Sequence, residues 1–263
     1  MTQLTIVIQD QHGNVKAEQQ NQGEVNLVYA AAYEPGDVIV LRSNDTPVFL
    51  RISLDEALGK ELVYMTGQEY TLPIPFGEKK SSYSPQTFIG ELHALRARVA
   101  KQREVQAYRN LARNVYDHHG NDSLFPHAHA NVETRGEAVF AARNAINGNT
   151  ITFSHGEWPF ESWGINQNLD AAFTLEFGRT VQIEEIVLYL RADFPHDSYW
   201  QQVTLEYSDG TRQVVGLEKS DKGQTIEVGG KQVEWVKLHE LIQADDPSPF
   251  PALTQFEVYG TEK

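Results

Sequence analysis

The segment Phe173-Thr174-Leu175-Glu176-Phe177-Gly178, followed by Val181-Gln182-Ile183, decides the fold of the C-terminal half. Apolar side chains alternate here with polar ones, which indicates half-buried β-strands. The same alternation predicts strands at residues 172–177, 181–190, 203–207, 213–217, 224–228, 233–238 and 254–259. No segment with helical periodicity interrupts this series, and residues 207–210 (YSDG) form a hairpin signal. The pattern therefore favours a β-sandwich over a parallel α/β sheet.

Residues 1–82 predict a second, smaller all-β domain. Short apolar runs (TIVI, VNLVY, DVIVLR and PVFLRI) are separated by turn signals such as His12-Gly13-Asn14 and Pro35-Gly36-Asp37. Pro73 and Pro75 fit an edge strand better than a central one.

Residues 83–116 predict a long helix that connects the two β domains. Ser84-Pro85 is an N-cap followed by proline at the first helical position. An apolar stripe with helical spacing then runs through Phe88, Leu92, Leu95 and Val99. It restarts out of phase at Val105, Tyr108, Ala112 and Val115. The whole helix would be roughly 40 Å long. The predicted architecture is therefore mainly β: domain 1–82, helical linker 83–116 and sandwich 117–263.

The composition of the chain argues against some classes of binding partner. The 263 residues contain 22 Lys plus Arg against 36 Asp plus Glu, a formal net charge of −14. Such a charge repels a phosphate backbone and an anionic bilayer, so nucleic acid and membrane insertion are not expected. The chain has no cysteine, which rules out disulfides and thiolate ligands.

The N-terminal sequence bears on the compartment. MTQLTIVIQD alternates like a first strand and lacks the basic and apolar regions of a signal peptide. No apolar run approaches the roughly 20 residues of a membrane span. A cytoplasmic protein is expected, or an extracellular one if a leader has been removed.

Four segments, taken in order, resemble the discoidin or coagulation factor 5/8 type C family, which overlaps bacterial, galactose-binding-like sugar-binding modules. They are residues 145–149 (AINGN), residues 173–190, residues 207–210 (YSDG), and the pair 234–238 with 256–260. The resemblance extends from about Asn110 to Gly260, and residues 1–105 show none. It implies a discoidin-like jelly-roll sandwich. Asn147 and Glu176 stand where the family has aspartate.

The resemblance also implies a structural calcium ion. Family members bind it with oxygens of the early loop and of the closing strand, which correspond here to Asn147, Asn149, Thr152 and Glu257. Asn147 offers a neutral oxygen where the family offers a charged one. Asn147-Gly148 is equally typical of a plain turn.

A carbohydrate site on the end loops is the function that the resemblance implies. By this resemblance, His155 and Arg191 would hydrogen-bond the hydroxyls of the sugar. The aromatic residue that stacks on the sugar face would be Trp158, Phe160, Trp163 or Trp200. The loop 191–197 adds Asp193 and His196. Alternatively, Trp163 is a core residue and Arg191 pairs with Asp193 or Glu161 to brace the loop.

Two further hypotheses stay open. In one, the sandwich is an interaction module, the N-terminal domain binds a protein or forms a homo-oligomer, and the loops are structural. In the other, His118, His119, His127 and His129 bind a transition metal with Asp117, Asp122 or Glu133, which would make the protein an enzyme. The favoured reading is non-catalytic glycan binding.

Overall fold

The computed structural model describes residues 1–154, 156–192, 198–246 and 248–263. The protein is mainly β, as predicted, and the paired strands of the described residues are antiparallel. Within these residues no helix has the length and apolar character needed to cross a bilayer.

The N-terminal half forms two facing sheets. Its strands are β1 (Gln3–Gln9), β2 (Val15–Gln22), β3 (Glu24–Tyr29), β4 (Val38–Ser43), β5 (Val48–Ser53), β6 (Glu61–Met65), β7 (Glu69–Pro73) and β8 (His93–Val99). One sheet has the order β2-β1-β4-β7. The other has the order β6-β5-β8-β3 and gains β10 (Leu124–Phe125) at the β6 edge. Alternate residues such as Ile6 and Ile52 point between the sheets and form one buried core.

The predicted connecting helix is wrong. In the described chain no helix reaches seven residues, and residues 93–99 form strand β8 between β3 and β5. Leu95 and Ala97 are buried while Ala94 and Arg96 are exposed, which is strand periodicity. The helical stripe fails at Leu92, which is 69% exposed, and at Phe88, whose φ is +53°.

The helical elements that do form are short. They are α1 (Gln102–Val105) and 3₁₀ turns at Gly77–Ser82, Thr134–Gly136, Ala138–Phe140 and Ala142–Ile146. The N-terminal sheets thus continue beyond residue 82, to Val99. The predicted domain limits themselves stay predictions.

The C-terminal half contains one large antiparallel sheet. Its strands are β9 (Arg109–Asn110), β11 (His127–Ala130), β12 (Trp163–Gly164), β13 (Phe173–Leu190), β14 (Trp200–Tyr207), β15 (Arg212–Gly216), β16 (Gln224–Gln243) and β17 (Ala252–Glu262). The main order is β12-β17-β13-β16-β14-β15, with β11 on β13 and β9 on β17.

The pairing of the long strands β13 and β16 is irregular near Gly178. Their register shifts between Glu176 and Val181, and Gly178 there has φ +69°. A Cβ at Gly178 would lie 2.5 Å from the ring of Phe125, so backbone conformation and packing both require glycine. Phe173, Phe177 and Phe256 fill the enclosed core.

Many contacts join the halves, and two of them are built around Arg179 and Tyr116. The Arg179 guanidinium lies 4.9 Å from the ring centroid of Phe49 and 5.0 Å from that of Tyr64, and it pairs with Glu262. Tyr116 enters the N-terminal core, where its hydroxyl accepts a hydrogen bond from the Leu54 N–H at 2.9 Å and donates one to the Gly59 carbonyl. These contacts fix the position of the segment that connects the N-terminal sheets to the C-terminal sheet.

Tyr116→Phe tests this anchor. The substitution leaves the buried Leu54 N–H without its acceptor, so we expect a loss of about 1–3 kcal/mol in the free energy of unfolding. Urea denaturation measures it. Tyr108→Phe is the control, because Tyr108 is 50% exposed and should change stability by less than about 0.5 kcal/mol. Equal effects of the two substitutions would contradict the assigned role.

Candidate functional site

A buried carboxylate organises the entry to the C-terminal sheet. Asp117 Oδ1 accepts hydrogen bonds from Asn121 Nδ2 at 2.7 Å and His127 Nδ1 at 2.8 Å. Asp117 Oδ2 accepts one from the Ala128 N–H at 2.9 Å. Because Asp117 has no exposed surface, its charge is balanced by these donors alone and fixes the start of β11.

The histidines of this segment do not form a metal centre. His118 Nε2 bonds to the Thr71 carbonyl at 2.8 Å, and its Nδ1 accepts the Gly120 N–H, so both ring nitrogens are engaged. His129 lies near Glu176, and His119 lies near Glu133, so these two histidines contact different carboxylates. Among the described residues no three His, Asp or Glu side chains form a group that could bind a metal.

The Asp117–His127 pair makes stability depend on pH. Burial acts to lower the pKa of His127, but the hydrogen bond and the charge of Asp117 outweigh it and raise the pKa. A histidine whose pKa is raised in the folded state stabilises fully below its unfolded pKa of about 6.5. That contribution is lost as the pH rises through the folded-state pKa.

His127→Gln should remove this pH-dependent contribution. We expect the unfolding free energy of the wild type, minus that of the variant, to fall as the pH is raised from about 6.5 upward. His118, whose pKa is lowered chiefly by burial and least by the charge of His127, is present in both proteins, so most of its contribution cancels in the difference. Denaturant titrations across this pH range measure the difference. A difference that stays flat or grows with pH would contradict the assignment.

A cavity of about 150 Å³ opens among the loops next to β12 and β17, and we call it the end-loop cavity. Phe140, Ile165, Phe250 and Pro251 supply apolar walls. Polar groups line the rest of the cavity: Thr134, Arg135, Ser162, Asn166, Gln167 and Arg191. The cavity thus combines aromatic surface with hydrogen-bonding side chains.

Arg191 both lines the end-loop cavity and braces the loops. Its Nη1 donates to the Phe160 carbonyl and its Nη2 to the Ser154 carbonyl at 3.2 Å. The side chain is buried, since Arg191 is 3% exposed. Bracing and ligand contact are therefore compatible roles for this residue.

The rim of the end-loop cavity has an unusual backbone. Asn166 and Gln167 are consecutive left-handed residues, with φ of +49° and +57°. The Asn166 N–H donates to Thr134 Oγ1 at 2.9 Å, which stabilises the turn. A Cβ at Gly164 would approach Thr134 Oγ1 to 2.6 Å, so the chain needs glycine there. Strained turns of this kind are more frequent at binding sites than elsewhere.

Of the predicted sugar contacts, Trp163 and Trp200 lie in the core. Both are 0% exposed, and their ring centroids are 6.1 Å apart. Neither can offer a ring face to a ligand from solvent, so the core alternative is right for Trp163 and holds for Trp200 as well. His155, Asp193 and His196 lie outside the described residues.

Trp158 lines a different cavity, of about 210 Å³, which we call the junction cavity. It is lined by residues of both halves, among them Ser84 from the N-terminal half and Asn147 and Glu161 from the C-terminal half. Trp158 and Arg191, predicted to share one sugar site, therefore line different cavities.

The predicted calcium loop is held by a glutamine amide. Gln255 Nε2 donates to the Asn147 side-chain oxygen at 2.7 Å and to the Asn144 carbonyl at 2.6 Å. Gln255 Oε1 accepts the Gly148 N–H at 2.9 Å. Because Gln255 is 1% exposed, these bonds connect β17 to the loop without water. We call this arrangement the Gln255 latch.

Glu161 completes the same network. Its Oε1 accepts hydrogen bonds from Asn149 Nδ2 at 2.8 Å and Asn147 Nδ2 at 3.1 Å. Both ends of the Asn147 amide are therefore engaged within the protein.

Calcium binding by this loop stays a prediction. The Gln255 amide donates hydrogen bonds to the Asn147 and Asn144 oxygens, and a calcium ion, which requires six to eight oxygen ligands, would have to displace it from them. Glu257 accepts a hydrogen bond from the Tyr259 hydroxyl, and burial raises the pKa of Glu257, which disfavours its charged form. Thr152 is partly exposed further along the loop.

Gln255→Glu should make the stability of this loop more dependent on calcium. Because Gln255 Nε2 already donates to the Asn147 and Asn144 oxygens, we expect the wild-type Tm to differ by less than about 1 °C between excess calcium and chelator. In Gln255→Glu the new carboxylate faces two oxygens, so its Tm should fall in chelator and rise with calcium. Differential scanning calorimetry measures both. A saturable, calcium-dependent rise in the Tm of the wild type would contradict this expectation and support the predicted calcium site.

Sequence reasoning missed Thr134, Ser162, Asn166, Gln167, Phe250 and Gln255. Phe250 was detectable, since an aromatic residue between Pro249 and Pro251 lies in a turn and not in a core strand. Gln255 was hidden, because a glutamine in a strand gives no sign of its partner.

The sequence matches no protein-family model and no curated protein. Several solved structures are similar to it. A chitosan-binding module from a Paenibacillus chitosanase/glucanase is 20% identical, covers 58% of this chain and 99% of its own, and has a TM-score of 0.41. A fucose-binding module of Streptococcus pneumoniae is 15% identical over 59% of this chain and 99% of its own, with a TM-score of 0.41.

The lectin domain of lectinolysin, in complex with Lewis B antigen, is 18% identical over 58% of this chain and 97% of its own, with a TM-score of 0.43. These structures are carbohydrate-binding modules and lectin domains, the same broad class as the family that the C-terminal sequence resembles. At such identities and scores they do not identify the ligand of this chain.

Proposed function

We propose that the C-terminal sandwich binds a carbohydrate in the end-loop cavity and catalyses no reaction. A sugar has an apolar C–H face and several hydroxyls, so it requires an aromatic surface beside hydrogen-bonding groups. Phe250 is 46% exposed at the cavity wall, opposite the polar side chains of the rim. A volume of about 150 Å³ is that of a cavity able to hold one six-membered ring.

The single observation that carries this proposal is the exposed ring of Phe250 beside accessible polar side chains. Asn166 and Gln167 are exposed and line the same cavity as Phe250. A ligand seated there could stack its apolar face on the ring while its hydroxyls bond to the two amides.

Phe250→Ala tests the proposal directly. With a panel of mono- and disaccharides, followed by titration calorimetry of the best ligand, we expect this variant to lose about tenfold in affinity through lost stacking. Arg191→Ala should abolish binding, but it also releases two loop carbonyls, so the exposed Phe250 gives the decisive result.

Two matched controls locate the site. Phe153→Ala removes an aromatic ring that is 71% exposed outside the cavity and should leave affinity unchanged. Trp158→Ala removes a wall of the junction cavity and should do the same. Saturable binding that survives Phe250→Ala but is lost in Trp158→Ala would contradict the assigned cavity. Failure of every sugar in the panel would favour an interaction module instead.

A further inference from the structure

The outer face of the five-stranded N-terminal sheet concentrates positive charge. A cleft of about 240 Å³ is lined by five cations, Arg51, Lys60, Arg96, Arg98 and Lys101, together with Ile52 and Ser53. We call it the basic cleft. In a chain with a formal net charge of −14, such a grouping runs against the overall charge.

The cations arise from strand register. Leu50 and Ile52 of β5 point into the core, so Arg51 points outward; Leu95 and Ala97 of β8 likewise place Arg96 and Arg98 outward. Arg51 lies directly opposite Arg98 in the β5–β8 pairing. Like charges directly opposite each other on one face destabilise a sheet. The fold therefore tolerates an unfavourable pair at this position.

Carboxylates neutralise part of the cleft. Glu104 accepts bonds from both terminal nitrogens of Arg98, at 2.6 and 2.8 Å, and Glu24 pairs with Arg96 at 2.6 Å. Hydrogen bonds from Arg98, with a further contribution from the charge of Arg51, lower the pKa of Glu104 to about 2. The field in the cleft thus stays positive even beside its carboxylates.

The remaining cations have no such partner. Within the described residues, the side chains of Arg51 and Lys60 make no ion pair or hydrogen bond, and Lys101 Nζ has no ion pair. The five cations therefore exceed Glu24 and Glu104 by three positive charges. An Arg guanidinium presents a planar fork of donors that matches phosphate oxygens.

We propose that the basic cleft binds a small ligand carrying a phosphate or diphosphate group. The excess of three charges suits a diphosphate, and the volume of about 240 Å³ suits a small molecule. An extended polyanion is disfavoured, because the rest of the surface would repel it. The ligand would separate Arg51 from Arg98 by placing oxygens between them, which removes their repulsion. This site is independent of the end-loop cavity.

Inorganic pyrophosphate is the probe, titrated calorimetrically into the full chain at low ionic strength, with phosphate and sulfate alongside at matched ionic strength. We expect saturable binding of pyrophosphate that weakens as potassium chloride is added, because salt screens exposed charges. Arg51→Gln should weaken binding at least tenfold and Lys60→Gln should weaken it measurably. Lys222→Gln, which removes the same charge at an 83%-exposed side chain elsewhere, should not.

The thermal stability of Arg51→Gln separates binding from misfolding. Without ligand, its Tm should stay close to that of the wild type, because the substitution removes both the like-charge contact with Arg98 and the attraction to Glu104, which oppose each other. Pyrophosphate should raise the Tm of the wild type and of Lys222→Gln but not that of Arg51→Gln. The proposal is overturned by absent saturable binding, by sulfate binding as tightly as pyrophosphate, or by equal losses in Arg51→Gln and Lys222→Gln.

Discussion

The geometry of the end loops depends on the Gln255 latch. The described residues of the segment 147–162 form no strand or helix, so no regular backbone ladder defines their positions. Gln255 binds the loop from β17, and Glu161 collects the amides of Asn147 and Asn149. Because these groups are largely buried, each hydrogen bond replaces a cost of desolvation and so selects one loop conformation. Arg191 continues the bracing to the carbonyls of Ser154 and Phe160.

The strands of the C-terminal half were predictable because each has one face in the core. Alternation gave the strands within residues 173–190 and 254–259 nearly in place, although the structure joins neighbouring predicted segments into the longer β13 and β16. The helix error at residues 83–116 has a physical origin. HALRARV is rich in helix-forming Ala, Leu and Arg, but pairing with β3 and β5 outweighs intrinsic propensity.

The site was less predictable than the fold, because burial of a given side chain depends on distant partners. Trp163 and Trp200 are core residues whose aromatic character suggested a platform. Trp158, predicted to stack on a sugar face, lines the junction cavity and not the end-loop cavity. The basic cleft is also a tertiary property: Arg51 and Arg98 are far apart in sequence, and strand register alone brings them together.

The Gln255 latch has a consequence for how this loop can change in evolution. Glutamine and glutamate codons differ by a single base, and the two side chains have the same shape. One point mutation would replace a donor with an acceptor at the buried centre of the loop. The amide that holds the loop belongs to the chain itself, so its local concentration is fixed by the fold. A change of one nucleotide would replace this donor with a carboxylate.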